Sequence, residues 1–229
     1  MKTKIIPKIL LILLTVIFSC NKDKWKEPTT VGFVVDINRT MGQGGKLNFT
    51  KGNIVLGNFI FDGDRVQGDD VYFSNNYSSG LNISFDPSNV PSDLNFDIPQ
   101  GTFTKIDISF TTSSAAGENQ IVVEGNYKNS MNNNDYPIRF EFKASQTFSI
   151  TSQNANGNSE IILKKDVPVT STIFFDPVYW FQPVSQAMLN NADMFDVGGV
   201  QTIVISDICN ISIYSIVANR IGGGSKITF

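Results

Sequence analysis

From residue 105 to residue 110 every second side chain is apolar: Ile106, Ile108 and Phe110 alternate with Lys105, Asp107 and Ser109. Residues 138–143 repeat the pattern, with Ile138, Phe140 and Phe142 against Arg139, Glu141 and Lys143. Successive side chains of a strand point to opposite faces, so a period of two marks a half-buried antiparallel strand. Further β-rich runs fall at residues 31–37, 46–49, 53–61, 71–73, 81–85, 121–127, 146–151, 160–163 and 170–175. Between them lie segments rich in Gly, Pro, Asn and Asp, at residues 42–45, 62–63, 87–91, 132–135 and 154–158, which favour turns. Many short strands at this spacing predict an all-β fold, a sandwich or a barrel, and of these an antiparallel β-sandwich is the expectation.

The last fifty residues change character. Residues 183–192 predict a short helix and residues 201–205 a strand. Asp207 is placed to cap a helix running to about Arg220, with Gly222 as its C′ residue, and residues 226–229 close with a strand. The expected fold is therefore a β-sandwich with one or two short C-terminal helices.

The first twenty residues are organised differently. Lys2, Lys4 and Lys8 precede an apolar run at residues 9–18, followed by Ser19 and Cys20. A basic start, a short apolar core and a small residue at the cut describe a secretory signal peptide. The apolar run is shorter than the roughly 20 residues that span a bilayer as a helix. Ile17-Phe18-Ser19-Cys20 resembles the lipobox read by lipoprotein signal peptidase. That resemblance implies cleavage before Cys20 and acylation of its thiol and new N-terminus, by palmitate-like chains. Two or three chains anchor stably where one does not, because each buried CH₂ contributes about 0.8 kcal/mol. The expected organisation is a signal peptide at 1–19, a lipidated tether at 20–29 and a β-sandwich domain at 30–229. Its expected place is the outer membrane of the cell envelope, on the periplasmic or the surface face, with the membrane as partner through the N-terminal lipid.

Composition excludes several chemistries. The chain contains no histidine, which removes Ser-His-Asp and Cys-His nucleophiles and the usual imidazole metal ligands. Of its two cysteines, Cys20 is claimed by the lipid, which leaves Cys209 with no intramolecular disulfide partner. Cys209 lies among Ile205, Ile208, Ile211 and Ile213 and reads as a small core residue. Loss of the leader leaves 15 basic against 21 acidic residues, a net charge of −6. Nucleic acid is not an expected partner of such a chain. No catalytic set and no cofactor motif stands out, and the expectation is a protein that is not an enzyme.

Two constellations remain. Asp62, Asp64, Asp69 and Asp70 lie in nine residues and could converge on a Ca²⁺ ion, which takes six to eight oxygen ligands. Their spacing is not that of an EF-hand, and the alternative is an acidic hairpin loop. Tyr179, Trp180 and Phe181, near Phe174 and Phe175, could offer a platform on which a sugar ring stacks; the alternative is packing, the commoner use of aromatic side chains.

Several segments together resemble a group of uncharacterised β-sandwich lipoproteins of Bacteroidota-type bacteria. They are Ile98-Pro-Gln-Gly-Thr-Phe-Thr-Lys-Ile-Asp-Ile108, Tyr136-Pro-Ile-Arg-Phe-Glu-Phe142, Thr172-Ile-Phe-Phe-Asp-Pro177 with Trp180-Phe181, and Ile213-Tyr-Ser-Ile-Val-Ala-Asn-Arg-Ile221. The resemblance implies the β-sandwich and the lipid anchor and assigns no catalytic residue. The expected function is a membrane-anchored envelope lipoprotein with a non-enzymatic binding or scaffold role, its partner a glycan or an envelope protein. A fimbrillin-like pilus or adhesion subunit, processed after Arg39 and assembled by strand exchange, is the alternative. A carboxylate-based glycan hydrolase ranks below both.

Overall fold

The computed structural model describes residues 24–113 and 119–229; the leader and Cys20 lie outside the described residues. Strands account for 53% of the chain and helices for 10%, so the all-β expectation holds. The first half runs β1 (Pro28–Ile37), β2 (Leu47–Arg65), β3 (Val71–Ser84), a 3₁₀ turn at Ser92–Leu94, β4 (Asn95–Pro99), β5 (Gly101–Thr112) and β6 (Ile121–Lys128). It continues with β7 (Asp135–Phe142), β8 (Thr147–Thr151), β9 (Ile161–Leu163) and β10 (Val169–Phe175). The chain closes with α1 (Pro177–Trp180), α2 (Gln186–Asn190), β11 (Met194–Val197), β12 (Val200–Ile205), α3 (Ile211–Ala218) and β13 (Lys226–Thr228).

Four strands form one sheet in the order β13-β10-β1-β4. The larger sheet follows from its register. Asn53 pairs with Ser84 of β3 and Val122 of β6, and Leu56 pairs with Leu81 of β3 and Thr112 of β5. A strand has two edges, so β5 and β6 lie end to end along the same edge of β2. Beyond them β8 and β7 are likewise consecutive, with Thr111 opposite Thr147 and Ile121 opposite Phe142. The breaks fall in line across the sheet: at Gly57, between β5 and β6, and between β7 and β8. Irregularities of this kind bend the strands that carry them, and the sheet curls into a half-barrel. β12 and β11 extend it beyond β7. Two pairings, β1 with β10 and β7 with β12, are parallel, so both sheets are mixed rather than wholly antiparallel.

The core lies between the sheets, and aromatic rings are its largest side chains. Phe33 of β1 meets Phe59 of β2 at 5.0 Å, and Phe96 of β4 stacks on Phe59 at 5.2 Å. Phe175 of β10 packs edge-on against Phe110 and Phe148 of the larger sheet. Burying each such ring contributes roughly 1.5–3 kcal/mol, and favourable ring geometry adds about 0.5–1.5 kcal/mol per pair. One close approach requires glycine: a Cβ on Gly125 would lie 1.8 Å from the carbonyl oxygen of Asn48, beside the irregularity that separates Phe49 from Lys51.

Several boundaries differ from expectation, each for a local reason. The runs at 46–49 and 53–61 form the single strand β2, because β6 pairs across Lys51 and Gly52, and those at 71–73 and 81–85 form β3, because β2 pairs with Ser74, Asn75 and Asn76 between them. The domain begins before Thr30. Pro28 and Thr29 already pair with Pro99 and Ile98, so the second half of the expected tether belongs to the fold. Asp207 does not cap a helix. Ser206 donates its N–H to the Cys209 carbonyl and accepts from the Cys209 N–H, and this turn delays helix α3 to Ile211. α3 ends at Ala218 with Asn219 as its cap, so Gly222 is not the C′ residue. The left-handed glycine is Gly224 (φ 74°), whose Cβ would meet the Tyr179 ring at 2.8 Å. Cys209 is half-buried rather than core.

Candidate functional site

Three surfaces carry most of the polar chemistry. The first is the pole where the described chain enters. Arg65, the last residue of β2, donates from Nη1 to the carbonyls of Trp25 (2.9 Å) and Gln100 (2.9 Å), and from Nε and Nη2 to the carbonyl of Asp69. Its own N–H donates to Asp70 Oδ1 at 2.9 Å. The planar guanidinium supplies five donors in a fixed fork and so suits several carbonyls at once. Burial pulls its pKa below the ordinary arginine value, and the charges of Asp69 and Asp70 oppose that shift. Gln100 completes the junction: its Nε2 donates to the Lys24 carbonyl at 2.7 Å and its Oε1 accepts from Lys165 N. Glu27 accepts from Lys165 Nζ at 2.9 Å.

Asp69 and Asp70 thus serve the β2–β3 turn, while Asp62 and Asp64 sit on the exposed side of β2. Among the described residues no group of three or more potential ligands is gathered closely enough to hold a metal ion. The four aspartates belong to a hairpin.

The second surface is the outer face of β3, β2, β5 and β8. The register sets its residues in rows: Asn76, Asn58, Thr111, Thr147; then Ser74, Ile60, Ser109, Ser149; then Tyr72, Asp62, Asp107, Thr151. Hydrogen bonds run along the rows. Thr111 N donates to Asn58 Oδ1 (2.8 Å), the Ser109 and Ser149 hydroxyls share a bond at 2.9 Å, and Thr151 donates to Asp107 (2.6 Å). Asp62, Asp107, Ser109, Ser149, Ile60 and Thr151 line a shallow cleft of about 310 Å³. Asp62 and Asp107 are directly opposite, a destabilising placement for like charges. Lys105 offsets it with a salt bridge to Asp107 at 2.5 Å. Partial burial pushes the Asp107 carboxyl up, but the hydrogen bonds from Lys105 and Thr151 and the lysine charge hold it below its ordinary value. Tyr72, 67% exposed, stands at the end of that row.

The third surface is the outer face of β7, β6 and β2. Arg139 bridges Glu124 and Glu141, and Lys51 pairs with Glu124 at 2.9 Å. Burial raises the Glu124 carboxyl, and Lys51 and Arg139 outweigh it, so its pKa falls below the ordinary range. Two cations and two carboxylates satisfy one another here. A shallow cleft of about 280 Å³ runs from this network to the exposed Val197 and Val200.

The remaining sequence candidates have structural roles. Trp180 and Phe181 are fully buried: Trp180 Nε1 donates to the Gly223 carbonyl at 2.9 Å, and Phe181 packs on Phe49 and Phe140. Tyr179 alone reaches the surface, covered by the Arg220 guanidinium 4.1 Å from its ring centre. Arg39 is spent on Asp36 and on the carbonyls of Thr50 and Phe85. Sequence reasoning missed Arg65 and Gln100, whose partners are mostly backbone carbonyls and so leave no motif. It also missed the Asp62–Asp107 opposition, which only the strand register discloses.

No protein-family model, curated protein or solved structure matches the chain.

Proposed function

We propose that this chain is an acylated lipoprotein of the bacterial cell envelope, held at the outer membrane through Cys20, whose β domain binds or scaffolds rather than catalyses. The lipobox-like Ile17-Phe18-Ser19-Cys20 supports the anchor, and the fixed entry of the chain sets its reach. Gln100 and Arg65 hold the carbonyls of Lys24 and Trp25, so only four peptide links separate Cys20 from the body of the domain. Four residues reach at most about 14 Å, so acylation at Cys20 sets the domain close against the lipid. Metabolic labelling with an alkyne analogue of palmitate tests the anchor: the full chain takes up label and a Cys20→Ser variant does not. Label that is absent, or that survives this substitution, overturns the assignment.

The polar face of β3, β2, β5 and β8 is the surface proposed for the ligand. Its carboxylates and hydroxyls suit a hydroxyl-rich molecule, and Tyr72 offers an aromatic ring beside them, which favours a glycan chain. Binding is favoured over hydrolysis by the direction of the carboxylate shifts. On this face Asp107 moves down, whereas a general acid needs a raised pKa. Titration against envelope glycans reads this directly: saturable binding weakened by Asp62→Asn supports it, and release of shortened products replaces it with a hydrolase.

A further inference from the structure

The pole at which the chain enters carries a set of side chains that folding leaves unused. Val66, at the tip of the β2–β3 turn, is 61% exposed, and Val167, in the β9–β10 loop, is 50% exposed. Ile162 on β9 is exposed to a similar degree. Val66 and Ile162 flank Thr102, whose carbonyl accepts from Val66 N–H at 2.9 Å and which pairs with Ile162; the loop of Val167 is tied to the same pole through Gln100, which accepts from Lys165 N–H and whose carbonyl Arg65 holds. Half-buried Trp25 lies among them, its Cβ against Gly68 and Lys24 Nζ 5.2 Å from its ring centre. Exposed Lys24, Lys164 and Lys165 surround the apolar tips.

The charge of this pole differs from that of the chain. Lys24, Lys26, Arg65, Lys164 and Lys165 face Glu27, Asp69, Asp70 and Asp166, five cations against four acids, whereas beyond the leader acids outnumber bases 21 to 15. Within the pole Asp70 accepts from the Arg65 backbone N–H and Glu27 pairs with Lys165, which leaves Lys24 and Lys164 as the exposed cations nearest the apolar tips. Aliphatic tips, an indole and a ring of lysines are the combination that settles into the headgroup region of an anionic bilayer, with the lysine stems along the apolar layer and their charges on phosphates.

We infer that this pole is a membrane-docking surface: Val66, Val167 and Trp25 enter the headgroup layer, and Lys24, Lys164 and Lys165 bind anionic lipid. The inference rests on acylation at Cys20, which brings this pole and no other to the bilayer. Docking fixes the orientation of the domain, so that the strands stand away from the membrane and the loops between β1 and β2 and between β6 and β7 point outward. The docked state thus presents the domain in one pose.

The two tryptophans allow a direct test, because Trp180 is fully buried and serves as an internal reference. Mature acylated protein is reconstituted into vesicles of phosphatidylethanolamine and phosphatidylglycerol carrying lipids brominated near the headgroup, beside a Val66→Asp/Val167→Asp variant. Both valines are exposed, so the variant retains the fold, as near-UV circular dichroism checks. The expected result is quenching and a blue shift of Trp25 emission in the parent, most of it lost in the variant although both proteins float with the vesicles. Floating protein whose Trp25 is unquenched, or quenched equally in parent and variant, overturns docking and leaves the lipid anchor standing. Protein that carries no acyl chain by mass and does not float overturns both.

Discussion

Arg65 Nη1 and the carbonyl oxygen of Trp25 lie 2.9 Å apart, joining the end of the second strand to a residue forty positions earlier. The same guanidinium holds Gln100 and Asp69. One side chain thus determines where the N-terminal segment leaves the domain, and its loss separates attachment from folding.

Arg65→Ala removes a charged donor from three carbonyls. Hydrogen bonds to charged groups contribute about 1.5–3 kcal/mol, and in a chain of this size each kcal/mol lowers Tm by about 2–4 °C. A Tm lower by several degrees is expected, together with new protease cleavage between Lys24 and Pro28 that leaves the rest of the domain intact. Arg65→Lys restores little of the loss, because an ammonium cannot span the fork. Full recovery by lysine would show that charge alone fixes the segment.

Asp62 and Asp107 face each other but are not equivalent, and substitution separates them. Asp107→Asn forfeits the Lys105 bridge and weakens the Thr151 bond, a loss of about 1 kcal/mol at neutral pH. Asp62→Asn relieves the opposition of charges and raises stability by a few tenths of a kcal/mol, about the lower end of the cross-strand range. The pH dependence follows from the sign of the shift. The folded pKa of Asp107 lies below its ordinary value, so its contribution is present above the unfolded pKa and is lost as the pH falls through the folded one. Urea unfolding at a series of pH values should show parent and Asp107→Asn converging as the pH falls through and below the ordinary carboxylate range. A gap that widens on acidification contradicts the assignment.

The aromatic triplet at 179–181 divides in the same way. Phe181→Ala opens the core between Phe49 and Phe140 and costs roughly 3–5 kcal/mol. Tyr179→Ala removes a surface contact with Arg220 and costs about 0.5–1 kcal/mol. Equilibrium unfolding of the two variants measures the difference, and equal losses would mean that Tyr179 is packed as deeply as its neighbour.

How much of this is legible in the chain depends on whether the cause is local. The alternation at 105–110 and 138–143 marks β5 and β7 and their buried faces, because burial of one face writes itself into every second residue. The acidic stretch at 62–70 carries no such information: Asp70 caps a turn and Asp62 opposes Asp107 through a partner strand far along the chain. β4 and β11 also escape detection. Asn95–Pro99 and Met194–Val197 are short edge strands whose identity comes from pairing with β1 and β12. The parallel joins of β1 to β10 and β7 to β12 have no sequence signature, since neither partner records the other's position. Arg65 is invisible for a related reason, because most of its ligands are carbonyls that any residue could supply.

The parallel pairing of β1 with β10 has a temporal consequence. Val31 is matched to Val169 and Ile37 to Phe175, a separation of 138 residues, and β10 in turn is flanked by β13 at the C-terminus. Contacts so distant along the chain form late, after the entropy of closing long loops has been met. In a chain that folds as it emerges from its N-terminus, β1 comes first and finds β10 last. Val31, Phe33 and Val35, fully or almost fully buried in the finished fold, can meet β2 and β4 early but lack one edge partner until β10 arrives. The small sheet is therefore the part of the fold that closes last.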